Sequence, residues 1–200
     1  MILVIGRPGL DERGGLLGSA ALVALAAAQA GARVELVGSV GDDADGDAVA
    51  LALAQAGIGH AALLRDPAGA TPRGVDSAVG PPPRLDSSDL ELGLRYLNDW
   101  RALVIAEALE PGALRVAQQA ARYNGARLIV VLPADAAEPE DLPAEATLLR
   151  SPGEDGGAFP SLVGRYAAAL AAGMPPANAW QTALAGSGWS ESEDDLPDPG

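Results

Sequence analysis

No cysteine occurs in this 200-residue chain, which excludes disulfides and thiolate metal sites. That fits a reducing compartment. Lysine is absent too: all 13 basic residues are arginine, which we read as a mark of genome composition, not of function. The single histidine, His60, cannot by itself form a histidine metal cluster. Aromatic residues make up 4% of the chain, so the core must be built from Ala, Leu and Val. No apolar run approaches the roughly 20 residues of a membrane span. The opening Met1-Ile2-Leu3-Val4-Ile5 lacks the basic leader of a signal peptide. A soluble, cytoplasmic protein is expected. Positive charge is scarce as well: the net charge is −14. It stays strongly negative when the tail acids Glu191, Glu193, Asp194, Asp195 and Asp198 are set aside. Such a surface repels nucleic-acid phosphates and anionic membranes, so neither is expected as a partner.

What the chain does have is apolar content, 48% of its residues, in runs that alternate with helical segments. Residues 2–5, 33–38, 61–65, 101–106, 128–132 and 146–150 read as strands. A further short strand is expected at 74–79, inside the Gly/Pro-rich stretch 67–83. Helices are expected at 19–30, 45–56, 88–98, 111–124, 160–172 and 176–184. Ser19 is placed as an N-cap and Gly31 as the residue after the helix. Ser88 and Glu91 have capping-box spacing. Pro111 and Pro160 suit a first helical position. Apolar strands separated by helices argue for a mainly parallel sheet covered on both faces. Residues 1–185 read as one α/β domain. Residues 186–200 read as an acidic, flexible tail with Trp189 docking locally.

Three stretches carry a resemblance. The first runs from Gly18-Ser19-Ala20-Ala21 through Ala28-Gln29-Ala30-Gly31-Ala32-Arg33-Val34-Glu35-Leu36-Val37-Gly38-Ser39-Val40-Gly41-Asp42-Asp43-Ala44-Asp45-Gly46 to Gln55-Ala56-Gly57-Ile58. The second, 103–132, is a strand, a helix and Gly125-Ala126-Arg127-Leu128-Ile129-Val130-Val131. The third, 159–179, holds Gly164-Arg165-Tyr166-Ala167-Ala168-Ala169-Leu170-Ala171-Ala172-Gly173-Met174-Pro175. Together they resemble the ribokinase-like (PfkB) carbohydrate-kinase family. The resemblance implies a three-layer α/β/α fold with a mainly parallel sheet. It also implies an ATP- and Mg²⁺-dependent sugar kinase, whose ligand is a sugar or nucleoside.

The departures from that pattern matter as much. In the family, a GAGD signature at a helix start holds the transferring phosphate on backbone N–H groups, and its Asp is the general base. Registered on Gly173, the signature falls on Gly157-Ala158-Phe159-Pro160, so Pro160 stands where the base belongs. Registered otherwise, Asp155 is the base, with Gly156 and Gly157 at the phosphate; in a silent relative Gly156, Gly157 and Ala158 are vestigial phosphate contacts. Asp11 fits the family's first sugar-binding acid, and equally a turn residue beside glycine. Ser19 is a further substrate candidate. The next sugar contact, an Asn in the family, falls on Leu22. Lid strands are expected to be absent or reduced to Arg13-Gly14-Gly15. Ser151-Pro152-Gly153-Glu154 resembles an NxxE element whose Glu is associated with Mg²⁺, which makes Glu154 a weak metal candidate. Glu154 then runs almost directly into the GAGD-like region, so part of the nucleotide side is expected to be missing.

Other patterns were weighed and set aside. The acids Asp42, Asp43, Asp45 and Asp47 lack an EF-hand ligand pattern and read as a strand-to-helix turn with a capping Asp. Arg7 and Arg13 flank Asp11 and suit an anion, a commonplace arrangement. No Walker A or G-x-G-x-x-G is present, and no convincing triad forms on one histidine. The leading expectation is a catalytically silent kinase relative that binds a small molecule or associates with a partner. An active kinase with an atypical site and a structural subunit of a homo-oligomer are the alternatives.

Overall fold

A computed structural model describes residues 1–74, 80–139, 141–152 and 157–189. The apolar runs form six strands of one sheet. β1 (Ile2–Ile5) is wholly buried. β2 (Gly9–Leu10) and β3 (Leu16–Leu17) form a small separate antiparallel ribbon. The other sheet strands are β4 (Val34–Gly41), β5 (Gly59–Asp66), β6 (Ala102–Ile105), β7 (Arg127–Pro133) and β8 (Thr147–Ser151). Their order is β5-β4-β1-β6-β7-β8, and every adjacent pair is parallel. A parallel sheet buries both faces, which is why the central strands read as unbroken apolar runs.

Helices cover both faces. α1 (Ser19–Gln29), α2 (Ala44–Gln55), α5 (Ala158–Ala171) and α6 (Pro176–Ser187) lie over the face built on Ile2 and Val4. α3 (Ser87–Leu94) and α4 (Pro111–Asn124) cover the face built on Leu3 and Ile5. This is the three-layer α/β/α arrangement expected. α1 and α5 cross at Gly164. A Cβ there would lie 2.5 Å from Val23 O and 2.8 Å from Ala27 N, so only glycine allows this approach.

Several local readings change. β4 continues past Gly38 to Gly41 because Ser39, Val40 and Gly41 pair with Leu64, Arg65 and Asp66 of β5. Gly38 is a packing glycine and not a strand end: any Cβ would collide with the Gly6 carbonyl. Gly18 is the N-cap of α1, and Ser19 is its first residue without a side-chain capping bond. The capping box sits two residues earlier than Ser88 and Glu91. Asp86 accepts from Ser88 N and Asp89 N, and Asp89 accepts from Asp86 N in return. Aspartate caps as well as serine, so the upstream pair takes the role. α5 begins at Ala158, after Gly157 in a left-handed conformation at φ 88°. Pro160 is therefore its third residue, where a missing N–H is harmless because the first four are unpaired in any helix.

The expected strand at 74–79 falls mostly outside the described residues. Of that stretch, Gly74 donates to Leu10 O at 2.8 Å, and Arg73 bridges Leu10 in parallel. At the other end of the chain, α6 reaches Ser187. Trp189 packs edge-on against Phe159 with ring centroids 5.6 Å apart. Trp180 does the same on Tyr166 at 5.3 Å, and Trp100 is 2% exposed in the core. All three tryptophans are packing residues. No described helix is long and apolar enough to cross a membrane.

Candidate functional site

The connections from β1 run outward through β4 to β5, and those from β6 run the other way through β7 to β8. β1 and β6 therefore flank a switch point. In open parallel sheets, ligands bind beyond the carboxyl ends of the strands at that position. A cleft of about 360 Å³ lies beside it. Its floor is the end of β7, with Val131, Leu132 and Pro133. Its polar groups come from Ser19 at the start of α1, Glu107 just past β6, Asp135 past β7 and Ser151 at the end of β8.

Glu107 is tied to Arg7. The Arg7 backbone N–H donates to its Oε2 at 3.2 Å, and Arg7 Nε lies 3.3 Å from Oε1. The two side chains thus tie the end of β1 to the end of β6 across the switch point. Burial pushes the Glu107 carboxyl above its ordinary value; the Arg7 charge and N–H oppose this without cancelling it. Arg7 Nε and Glu107 Oε1 are both buried without a well-aligned hydrogen bond. Glu107 is not among the residues singled out from the sequence, although an acid directly after a buried strand is the available signal.

Ser19 lines the cleft. Asp11 is occupied elsewhere. Its Oδ1 accepts from Arg13 N and Gly15 N, both at 2.8 Å, so it organises the β2–β3 turn. Leu22 sits in the first turns of α1 and is half-buried. Gly157 and Ala158 are at the start of α5, and Pro160 is buried there. Glu154, Asp155 and Gly156 lie outside the described residues. Ser151 ends β8 and Ala158 begins α5, so residues 152–157 alone connect them.

The acids that suggested a Ca²⁺ loop serve the fold instead. Asp43 caps α2 by accepting from Gly46 N at 2.7 Å. It also accepts from Thr71 N at 2.9 Å and Thr71 Oγ1 at 2.7 Å. Burial alone would raise the Asp43 carboxyl. The Thr71 and Gly46 hydrogen bonds, with Arg65 nearby, outweigh it and hold the group below its ordinary value. Among the described residues, no group of three or more potential ligands could hold a metal.

No family model and no curated protein matches the sequence. Solved structures do match. An Escherichia coli protein assigned as a ribokinase II, solved with ATP and Mg²⁺, superposes with a TM-score of 0.64 at 15% identity, covering 91% of this chain and 89% of that one. A Staphylococcus aureus protein assigned as a phosphofructokinase gives 0.64 at 14%, covering 92% and 90%. A PfkB protein from Polaromonas sp. JS666 gives 0.62 at 16%, covering 91% and 92%. This chain has the ribokinase-like fold. At these identities the likeness establishes the fold alone. Between β1 and α1, where the sequence resemblance places lid strands, the chain forms the short β2–β3 ribbon around Arg13-Gly14-Gly15, with the segment 72–74 hydrogen-bonded to β2.

Proposed function

We propose that this ribokinase-like chain binds a sugar or nucleoside in the switch-point cleft and does not transfer phosphate to it. One observation carries the reading: Pro160, buried in the first turn of α5, stands where the resemblance places the general base. Proline offers neither an acid nor an N–H. Loss of a general base costs about 10²–10⁴ in rate. Leu22 in place of the family's sugar-binding Asn points the same way, as does the short connection 152–157. The binding half of the proposal rests on Ser19, Glu107, Asp135 and Ser151, whose hydroxyls and carboxylates suit ligand hydroxyls.

A second reading has its own support. α5 starts at Ala158 and not at Pro160, which leaves two glycines between Asp155 and the helix in the sequence. In that reading Asp155 is the base, Glu154 serves Mg²⁺, and the chain is an ATP-dependent kinase. A third role, association into a homo-oligomer, is supported by the partly exposed edge strands β5 and β8.

Thermal shift with ribose, adenosine and ATP–Mg²⁺ tests the binding proposal. A ligand at 100 times its Kd adds about 2.7 kcal/mol of stability. A shift with ribose or adenosine supports it. No shift with either, under conditions where ATP–Mg²⁺ alone stabilises the protein, contradicts it.

A further inference from the structure

The β2–β3 ribbon leaves the carboxyl end of β1 and returns to Ser19 at the edge of the cleft, and it is held against the segment 72–74 and α2. Leu10 is 1% exposed and belongs to the core that includes Val49 and Leu53 of α2. Its backbone is hydrogen-bonded to the segment 72–74: Leu10 N donates to Pro72 O at 2.9 Å, and Gly74 N donates to Leu10 O at 2.8 Å. That segment is itself clamped to the end of β4 and the start of α2. Thr71, 6% exposed, accepts from Gly41 N at 2.9 Å through its hydroxyl and gives both its own protons to Asp43. Two residues on, Arg73 pairs with Asp45 of α2. Beyond the ribbon's partner, Ala70 N donates to Pro81 O at 2.9 Å, and Asp66 Oδ2 accepts from Arg84 N at 2.6 Å. These contacts join residues 66–70 to residues 81–84.

A lid that opens and closes is drawn from the least stable parts of a structure, with few buried contacts and exposed hydrogen bonds. This ribbon has the opposite character. We infer that it is a permanently docked wall, and that Asp43, Thr71 and Arg73 are the positioning residues that hold it. A ligand in the cleft is then bound with no closure step by this ribbon, and water is not expelled by its movement. For the function proposed above, such a site suits binding better than phosphoryl transfer, although the inference stands without it.

The test uses the ligand-free protein, so its outcome is independent of that proposal. Amide hydrogen exchange is followed by NMR at Leu10, Asp11 and Gly74. Protection comparable with the β4–β5 pairing is expected. Thr71→Val removes the hydroxyl contacts to Gly41 and Asp43, and exchange at the three ribbon amides is expected to rise about 10- to 100-fold. The β1 and β6 amides keep their protection. Arg73→Gln is expected to loosen the same amides to a smaller extent, and it serves alone if Thr71→Val does not fold. Unprotected ribbon amides in the parent protein would overturn the inference. So would ribbon protection unchanged in both variants, or a loss spread evenly over the whole sheet.

Discussion

Replacing Gly164 with alanine tests how closely α1 and α5 must pack. The added Cβ would sit 2.5 Å from Val23 O, 2.7 Å from Ala26 Cβ and 2.8 Å from Ala27 N. Two of those three atoms are α1 backbone, which cannot rotate away. Ordinary carbon contacts need about 3.5–4.0 Å, so the helices must part by about 1 Å. Overpacking costs roughly 1–3 kcal/mol, and a clash with backbone that cannot move aside falls at the upper end, about 2–3 kcal/mol. Removing a glycine from a helix interior returns about 1 kcal/mol, leaving a net loss of about 1–2 kcal/mol. At about 2–4 °C per kcal/mol for a chain of this size, the melting temperature should fall by about 2–8 °C. Gly186→Ala is the control. Its Cβ would meet only the tip of the Arg165 side chain, at 2.8 Å from Nη1, which can swing aside. That variant should be neutral or gain up to about 1 kcal/mol. Urea denaturation of both variants is the assay. A Gly164→Ala protein as stable as the parent would refute the packing argument, and with it the fixed placement of the α5 start at the site.

Two further predictions concern pH. The folded Asp43 carboxyl lies below its ordinary value, so its contribution is present above about pH 3.9 and is lost as pH falls through the folded value. Asp43→Asn should flatten that acid limb in urea titrations and cost about 1 kcal/mol at neutral pH through the lost cap; an unchanged acid limb counts against the clamp. The folded Glu107 carboxyl lies above its ordinary value. Its contribution is therefore present below about pH 4.3 and is lost as pH rises through the folded value. Glu107→Gln should lose less stability than the parent between mildly acid and neutral pH. The same slope in both proteins would mean that Glu107 is not the buried acid responsible.

The sheet was legible because a doubly covered parallel strand must be apolar throughout. Ile2–Ile5 and Ala102–Ile105 show this without ambiguity. α4 was legible from its ends, Pro111 at its first position and Gly125 in a left-handed turn after it. The ribbon was not, since strands of two residues carry no periodicity. Thr71 was not, because its partner Asp43 is distant in sequence and no local spacing joins them. The start of α5 was misplaced because proline's preference for the first position was given more weight than the left-handed Gly157 before it. Ser19 lines the cleft because it opens α1 directly after the ribbon. Asp11 turned inward to its own hairpin, the outcome expected of aspartate beside glycine. Glu107 was overlooked because an acid beyond a strand reads as loop until the topology shows that β1 and β6 are neighbours.

The central claim is a site that binds without phosphoryl transfer, and release of ADP tests it most directly. The protein is incubated with ATP–Mg²⁺ and ribose or adenosine, and ADP is followed by a coupled assay alongside an Asp155→Asn variant. The account predicts no ligand-dependent ADP above background in either protein. Ligand-dependent turnover in the parent that vanishes in Asp155→Asn would contradict it and establish the kinase reading.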